Sequence, residues 1–102
     1  MELVKEVYRI SQSFPRDELY GLTSQIRRAA VSVPSNIAEG AARNGQKEFA
    51  QFLGVARGSL SELETQMLIA AELGYLEKSH EIFSLLDKVS RLITGLLKKI
   101  NQ

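Results

Sequence analysis

Any metal or acid–base chemistry in this 102-residue chain would have to be drawn from one histidine, His80, and twelve carboxylates, because there is no cysteine. A di-iron centre in a helical bundle needs Glu-x-x-His pairs on two helices. His80 stands alone, in the loop or first turn before the last apolar helical run. Glu62 and Glu64 are two residues apart, so on a helix they point in different directions and form no local acid–base pair. Ser59 has no base placed beside it by sequence, and no Gly-x-x-x-x-Gly-Lys phosphate loop is present. The expectation is a protein that is not an enzyme and takes no metal or cofactor.

The unusual polar residues lie elsewhere. The stretch "SVPSNIAEG", residues 32–40, sets a proline, small polar residues and a carboxylate inside a helical pattern. Advancing about 100° per residue puts Gln25, Arg28, Ser32, Ser35 and Glu39 on one stripe beside the apolar face, with Asn36 at its edge. Two readings stand: a binding groove with Arg28 at its cationic end and Glu39 at its anionic end, or a structural polar network with the neighbouring helix. The second is preferred, with Arg28, Ser32, Asn36 and Glu39 expected to join Glu62 and Thr65. Pro34 removes one backbone bond and crowds the Ala30 carbonyl, a cost of about 3 kcal/mol unless the helix bends. Ser32, Ser35 and Asn36 are candidates to satisfy groups freed by such a bend. The alternative is a true break, with Pro34 starting a new helix.

These residues need elements to hold them, and the apolar spacing supplies only helices. Leu3, Val7, Ile10 and Phe14 mark a first helix that stops before Pro15. Leu22, Ile26, Ala29, Val33 and Ile37 mark a second, with Gly40 expected in the left-handed conformation at its end. Phe49, Phe52, Leu53, Ala56, Leu60, Leu63, Met67, Ala70 and Ala71 fall within roughly 100° of arc on a third, ending at Gly74. Ser79 is the expected cap of a fourth carrying Ile82 to Ile100. No alternating strand run appears. The prediction is an all-α, antiparallel up-down-up-down four-helix bundle, residues 1–102 forming a single domain.

The third helix carries a second face. Gly54, Gly58, Ser61 and Thr65 lie almost opposite the core stripe, and two interior glycines cost roughly 1 kcal/mol each relative to alanine. Small residues at i, i+4 let another backbone approach, and Val55 and Ile69 add apolar surface. These residues are therefore the expected subunit interface of a homo-oligomer.

Charge excludes a global field: 13 Lys+Arg against 12 Asp+Glu gives a net +1. Nucleic-acid contact would need a local patch, and Arg27, Arg43, Lys47 and Arg57 are the candidates, interleaved with Glu39 and Glu48. Lys98 and Lys99 are read as favourable charge at a helix C-terminus. The charged N-terminus "MELVKEVYRI" lacks a secretory signal's apolar run, and "MLIAAELGYL" is too short to span a membrane, so a cytoplasmic location is expected. Nothing in the spacing argues for a small-molecule substrate.

"YGLTSQIRRAAVSVPSNIAEG" (Tyr20 to Gly40) followed by "EFAQFLGVARGSLSELETQMLIAAELGYL" (Glu48 to Leu76) resembles the four-helix-bundle family named for reading frames in intervening sequences of 23S ribosomal RNA genes. The Gln-Ile-Arg-Arg, Asn-Ile-Ala-Glu-Gly and Gly-Ser-Leu-x-Glu-x-x-Thr runs occur in the family's order. The resemblance implies an up-down bundle assembled as a homopentameric barrel around a central channel, with no catalytic residues to carry over. The family is more distantly similar to the accessory variability protein of diversity-generating retroelements, a basic pentamer that binds nucleic acid and partners a reverse transcriptase. By that analogy RNA, DNA or a nucleic-acid enzyme is an expected partner. Family members usually begin with a segment resembling Phe-x-x-Leu-x-Val-Trp. This chain starts at Met1 already inside "ELVKEVY" and has no tryptophan, which leaves two readings: a reading frame that begins upstream of Met1, or a first helix shortened at its N-terminus.

Overall fold

The computed structural model describes residues 1–101. The elements are α1 (Glu2–Ser11), a 3₁₀ turn (Arg16–Glu18), α2 (Leu22–Ala41), α3 (Gln46–Glu72) and α4 (Ile82–Ile100), and the described residues contain no strand. This is an all-α four-helix bundle. Its 43 Å long axis matches the 27 residues of α3, which at 1.5 Å per residue span about 40 Å.

Each helix buries one stripe. Leu3, Val7 and Ile10 of α1, Ile26, Ala29, Ala30 and Val33 of α2, Ala56, Leu60, Leu63, Met67 and Ala70 of α3, and Ile82, Leu86, Val89 and Ile93 of α4 form one contiguous core. Phe14 belongs to this core although α1 ends at Ser11, so the fourth apolar position of the first run is filled from a turn. Pro15 accounts for the stop, since it disfavours helical backbone in the residue before it. α2 and α3 share the most extensive packing in the molecule. Their directions are opposed: Ser32 meets Ser59, and Gly40, further along α2, meets Phe52, further back along α3. α3 and α4 are likewise opposed, because Leu60 and Leu86 border one hollow while Gly54 and Leu97 border another.

Three helix ends decide how the bundle turns. Gly40 lies inside α2, which runs to Ala41, and does not take the expected left-handed backbone. It is glycine because a Cβ there would stand 2.6 Å from Phe52 Cβ and 3.0 Å from Phe49 Cδ1. Gly74 does have a positive φ, of 82°. The Tyr75 N–H donates to the Ala70 carbonyl at 2.9 Å and the Gly74 N–H to that of Ala71 at 3.0 Å, the paired bonds of a Schellman ending. α4 is capped by His80 instead of Ser79: the Ile82 N–H donates to His80 Nδ1 at 3.0 Å. The imidazole nitrogen thus takes the orphan donor that a serine oxygen was expected to take.

Pro34 sits within an unbroken α2, so the reading of a new helix starting there is not what the chain adopts. A helix of 20 residues held along its length by α3 tolerates the missing bond. α1, ten residues long, lies against the first turns of α4, where Glu2, Glu6 and Arg9 border Glu81, Ile82 and Leu85. Further along α4, Leu92 is 60% exposed and Leu96 37%.

Candidate functional site

The polar stripe of α2 converges on α3 at one place. Ser32 Oγ lies 2.8 Å from Ser59 Oγ, and Asn36 Nδ2 donates to both the Ser32 carbonyl (2.8 Å) and Ser32 Oγ (3.0 Å). Ser32 is therefore a hub: one atom set joins two turns of α2 to the middle of α3. Asn36 serves the Ser32 carbonyl, where the sequence pattern had offered it to the groups that Pro34 frees, the Ala30 carbonyl among them. These groups are half-buried, where a hydrogen bond is worth more than at an open surface.

Of the six residues expected in a network, one chain brings together only Ser32 and Asn36. Arg28 and Thr65 are exposed. Glu39 accepts from Arg43 at 2.9 Å, along its own helix end, with both side chains about half exposed. Glu62 accepts from Gln66 Nε2 at 3.2 Å, again along one helix. Ser59 is the member that sequence reasoning missed. Its position beside the α3 core stripe, one turn from Ala56 and Leu63, was the available signal. Its partner is a second hydroxyl, which supplies no base to activate a nucleophile.

The second candidate surface is the outward face of α3. Among the described residues a Cβ built on Gly54 or Gly58 meets nothing within 4 Å, and Ser61 and Thr65 continue the exposed stripe. Val55 (52% exposed), Leu68 (52%) and Ile69 (45%) flank it. Backbone is thus bare along two turns of a long helix, with apolar side chains on either side.

The four basic candidates divide into two places. Lys47 and Arg57 border one open groove between the start of α3 and the end of α4, floored by Ala50, Gly54, Leu97 and Ile100. Arg43 is close by in chain but committed, its guanidinium 5.2 Å from the Phe52 ring centre and paired with Glu39. Arg27 stands apart, 16 residues earlier and so on the order of 24 Å away along the helix. It stacks on Tyr8 at 4.8 Å and its Nε donates to Ser11 Oγ at 2.9 Å. A patch of all four residues does not form on one chain.

Two ionisable pairs are perturbed. Arg9, hydrogen-bonded to Glu6 at 2.6 Å, holds that carboxyl below its ordinary range, and the carboxylate raises Arg9 in return. Tyr75 donates to Glu18 Oε2 at 2.9 Å, and this bond to the carboxylate pushes the phenol up, burial adding to it. Glu18 Oε1 also accepts the Leu22 N–H at 3.4 Å, so one carboxylate ties the α3–α4 turn to the start of α2. Among the described residues no group of three or more His, Cys, Asp or Glu is placed to hold a metal, and no helix is long and apolar enough to cross a membrane.

The model of the 23S rRNA-intervening sequence protein family matches residues 1–95, and the chain belongs to that family. The family's description names no catalytic activity. No curated protein matches the chain significantly.

Proposed function

We propose that this member of the 23S rRNA-intervening sequence protein family is a non-enzymatic, homo-oligomeric helical scaffold or adaptor of the cytoplasm, a pentamer by the resemblance its motifs carry. The observation that supports this reading is the open space over both Gly54 and Gly58. A helix that only faced water would gain roughly 1 kcal/mol from alanine at each position. Bare backbone beside exposed Val55 and Ile69 suits a second helix packing at short distance. Ser61 and Thr65 extend that approach by two turns.

Light scattering coupled to size-exclusion chromatography tests it. The expected mass is about five times the 11.4 kDa of one chain at both low and high salt, since an apolar contact is not screened. Gly58→Leu should leave helicity intact and reduce the mass. A wild-type monomer, or a Gly58→Leu protein of unchanged mass, would remove the α3 face from the assembly.

A second reading is favoured by the groove that Lys47 and Arg57 share, because among the described residues no carboxylate side chain borders it. Repeated around an oligomer, two cations per subunit would make a nucleic-acid surface, with RNA, DNA or a nucleic-acid enzyme as partner. Binding of single-stranded RNA, followed by anisotropy, should then weaken steeply with salt. Lys47→Ala should lower the salt slope by about one unit per affected contact. Absence of binding at low salt rejects this reading and leaves the scaffold.

A further inference from the structure

A separate cleft, of about 240 Å³, opens where the end of α1, the turn after it and the start of α2 meet. Phe14 and Leu19 give it an apolar lining, Ser11 and Thr23 border it, and Arg16 and Arg27 are the charged groups at its edge. Three features mark it as a built site. Thr23 is 2% exposed and its hydroxyl has no hydrogen-bond partner among the described residues, a state that buried polar groups avoid. Arg27 is fixed by its Tyr8 stack and its Ser11 bond, yet neither it nor Arg16 forms an ion pair with any described carboxylate. Neither acid of the 3₁₀ turn, Asp17 or Glu18, borders the cleft, and Glu18 is held instead by Tyr75 and the Leu22 N–H.

We propose that this cleft binds a carboxylate carried on a short apolar group, the Arg27 and Arg16 guanidiniums and the Thr23 hydroxyl taking the carboxylate and Phe14 and Leu19 the apolar part. A guanidinium's planar fork matches the planar carboxylate, and one held in place by stacking loses little freedom on binding. The Thr23 hydroxyl oxygen is sealed from solvent as it stands, so in this proposal it reaches the ligand's carboxylate by rotation about the Cα–Cβ bond. The volume is below the ~300 Å³ at which sites for drug-sized ligands begin, so the occupant is the size of one branched side chain with its acid group. That chemistry is shared by a free short-chain carboxylic acid and by a protein C-terminus ending in an apolar residue.

The test is a ¹H–¹⁵N NMR titration of the assembled protein with sodium isovalerate, with isovaleramide as the uncharged twin, up to about 50 mM because a fragment this small binds weakly. Saturable shifts near Ser11, Thr23 and Arg27 are expected with the acid and none with the amide. Arg27→Gln should weaken binding about tenfold, the loss of one charge-assisted contact. Because Arg27→Gln also removes the Tyr8 stack, Thr23→Val and Arg16→Gln serve as variants that keep the fold. Each should weaken binding several-fold, while Arg43→Gln, outside the cleft, leaves it unchanged. Acetyl-Gly-Leu with a free C-terminus binding at least tenfold tighter than isovalerate identifies a protein terminus as the source, and equal affinity identifies a free acid; both support the site. No shift, equal shifts with the amide, or titrations indifferent to both Thr23→Val and Arg16→Gln overturn it.

Discussion

Gly40 and the pair Gly54 and Gly58 are helical glycines on adjoining helices, and they are glycine for opposite reasons. Gly40 is buried where α2 meets α3, with Phe52 Cβ already where its own Cβ would go. Gly54 and Gly58 face open space. One is required by a contact inside the chain, and the other two are unexplained by anything inside it. The same residue type at helical spacing therefore carries two meanings, and only the neighbour on the facing element tells them apart.

The largest expected effect is at the buried position. Gly40→Ala should destabilise the fold by about 1–3 kcal/mol, toward the upper end because the atom met is a Cβ and not the tip of a flexible chain. For a domain of this size that lowers the melting temperature by roughly 4–8 °C per kcal/mol. Phe52→Leu should give no rescue, since it leaves the opposing Cβ in place. A Gly40→Ala protein that melts like the parent, followed by circular dichroism, would break the contrast at its firmest point.

Gly54→Ala and Gly58→Ala sharpen it from the other side. In a separated subunit each should raise stability by up to about 1 kcal/mol, since nothing opposes the new methyl. In an assembly packed through this face, the same methyls should reduce the mass by light scattering. Higher stability with unchanged mass would mean that the outward face meets only water.

The polar groups divide in the same way, at smaller scale. Ser32→Ala strips a half-buried hub that serves Asn36 and Ser59, and should cost about 1 kcal/mol in chemical denaturation. Glu39→Ala should cost no more than about 0.5 kcal/mol within one chain, because its pair with Arg43 is half exposed and screened. A larger loss for Glu39→Ala, or a change of mass, would place that carboxylate against another subunit.

Sequence spacing carried the helices and the core because both depend on periodicity, which one strand of text contains. Leu63 and Val33 could be placed at the centre from their own helices alone. What decided the joints was the facing partner. Gly40 looked like a helix end until Phe49 and Phe52 were set against it, Ser79 looked like a cap until the His80 ring turned to Ile82, and Ser59 gained meaning only opposite Ser32. Arg27 and Arg43 are the same residue type but not in the same place, because Arg27 lies near the start of α2 and Arg43 just past its end. The cleft at Thr23 was invisible for a further reason: an unpartnered hydroxyl is an absence, and no residue type announces it.

The smallest effect lies at the end of the bundle away from Gly40, where Glu18 joins Tyr75 and the start of α2. The carboxylate's hydrogen bond raises the Tyr75 phenol above its ordinary range. A group whose folded pKa is raised contributes stability that is fully present below its unfolded pKa, about 10 for tyrosine, and lost as pH rises through the folded value. The bond therefore contributes at neutral pH and fades only in strong alkali. Ultraviolet titration of phenolate should show one tyrosine ionising late. Tyr75→Phe should remove that late step, and Glu18→Gln should move it back toward the ordinary range, because the amide keeps a hydrogen-bond acceptor but loses the charge. If Glu18→Gln leaves the late step in place, burial and not the carboxylate raises the phenol. The link between the α3–α4 turn and α2 would then rest on packing between Phe14 and Tyr75, whose ring centres lie 5.4 Å apart.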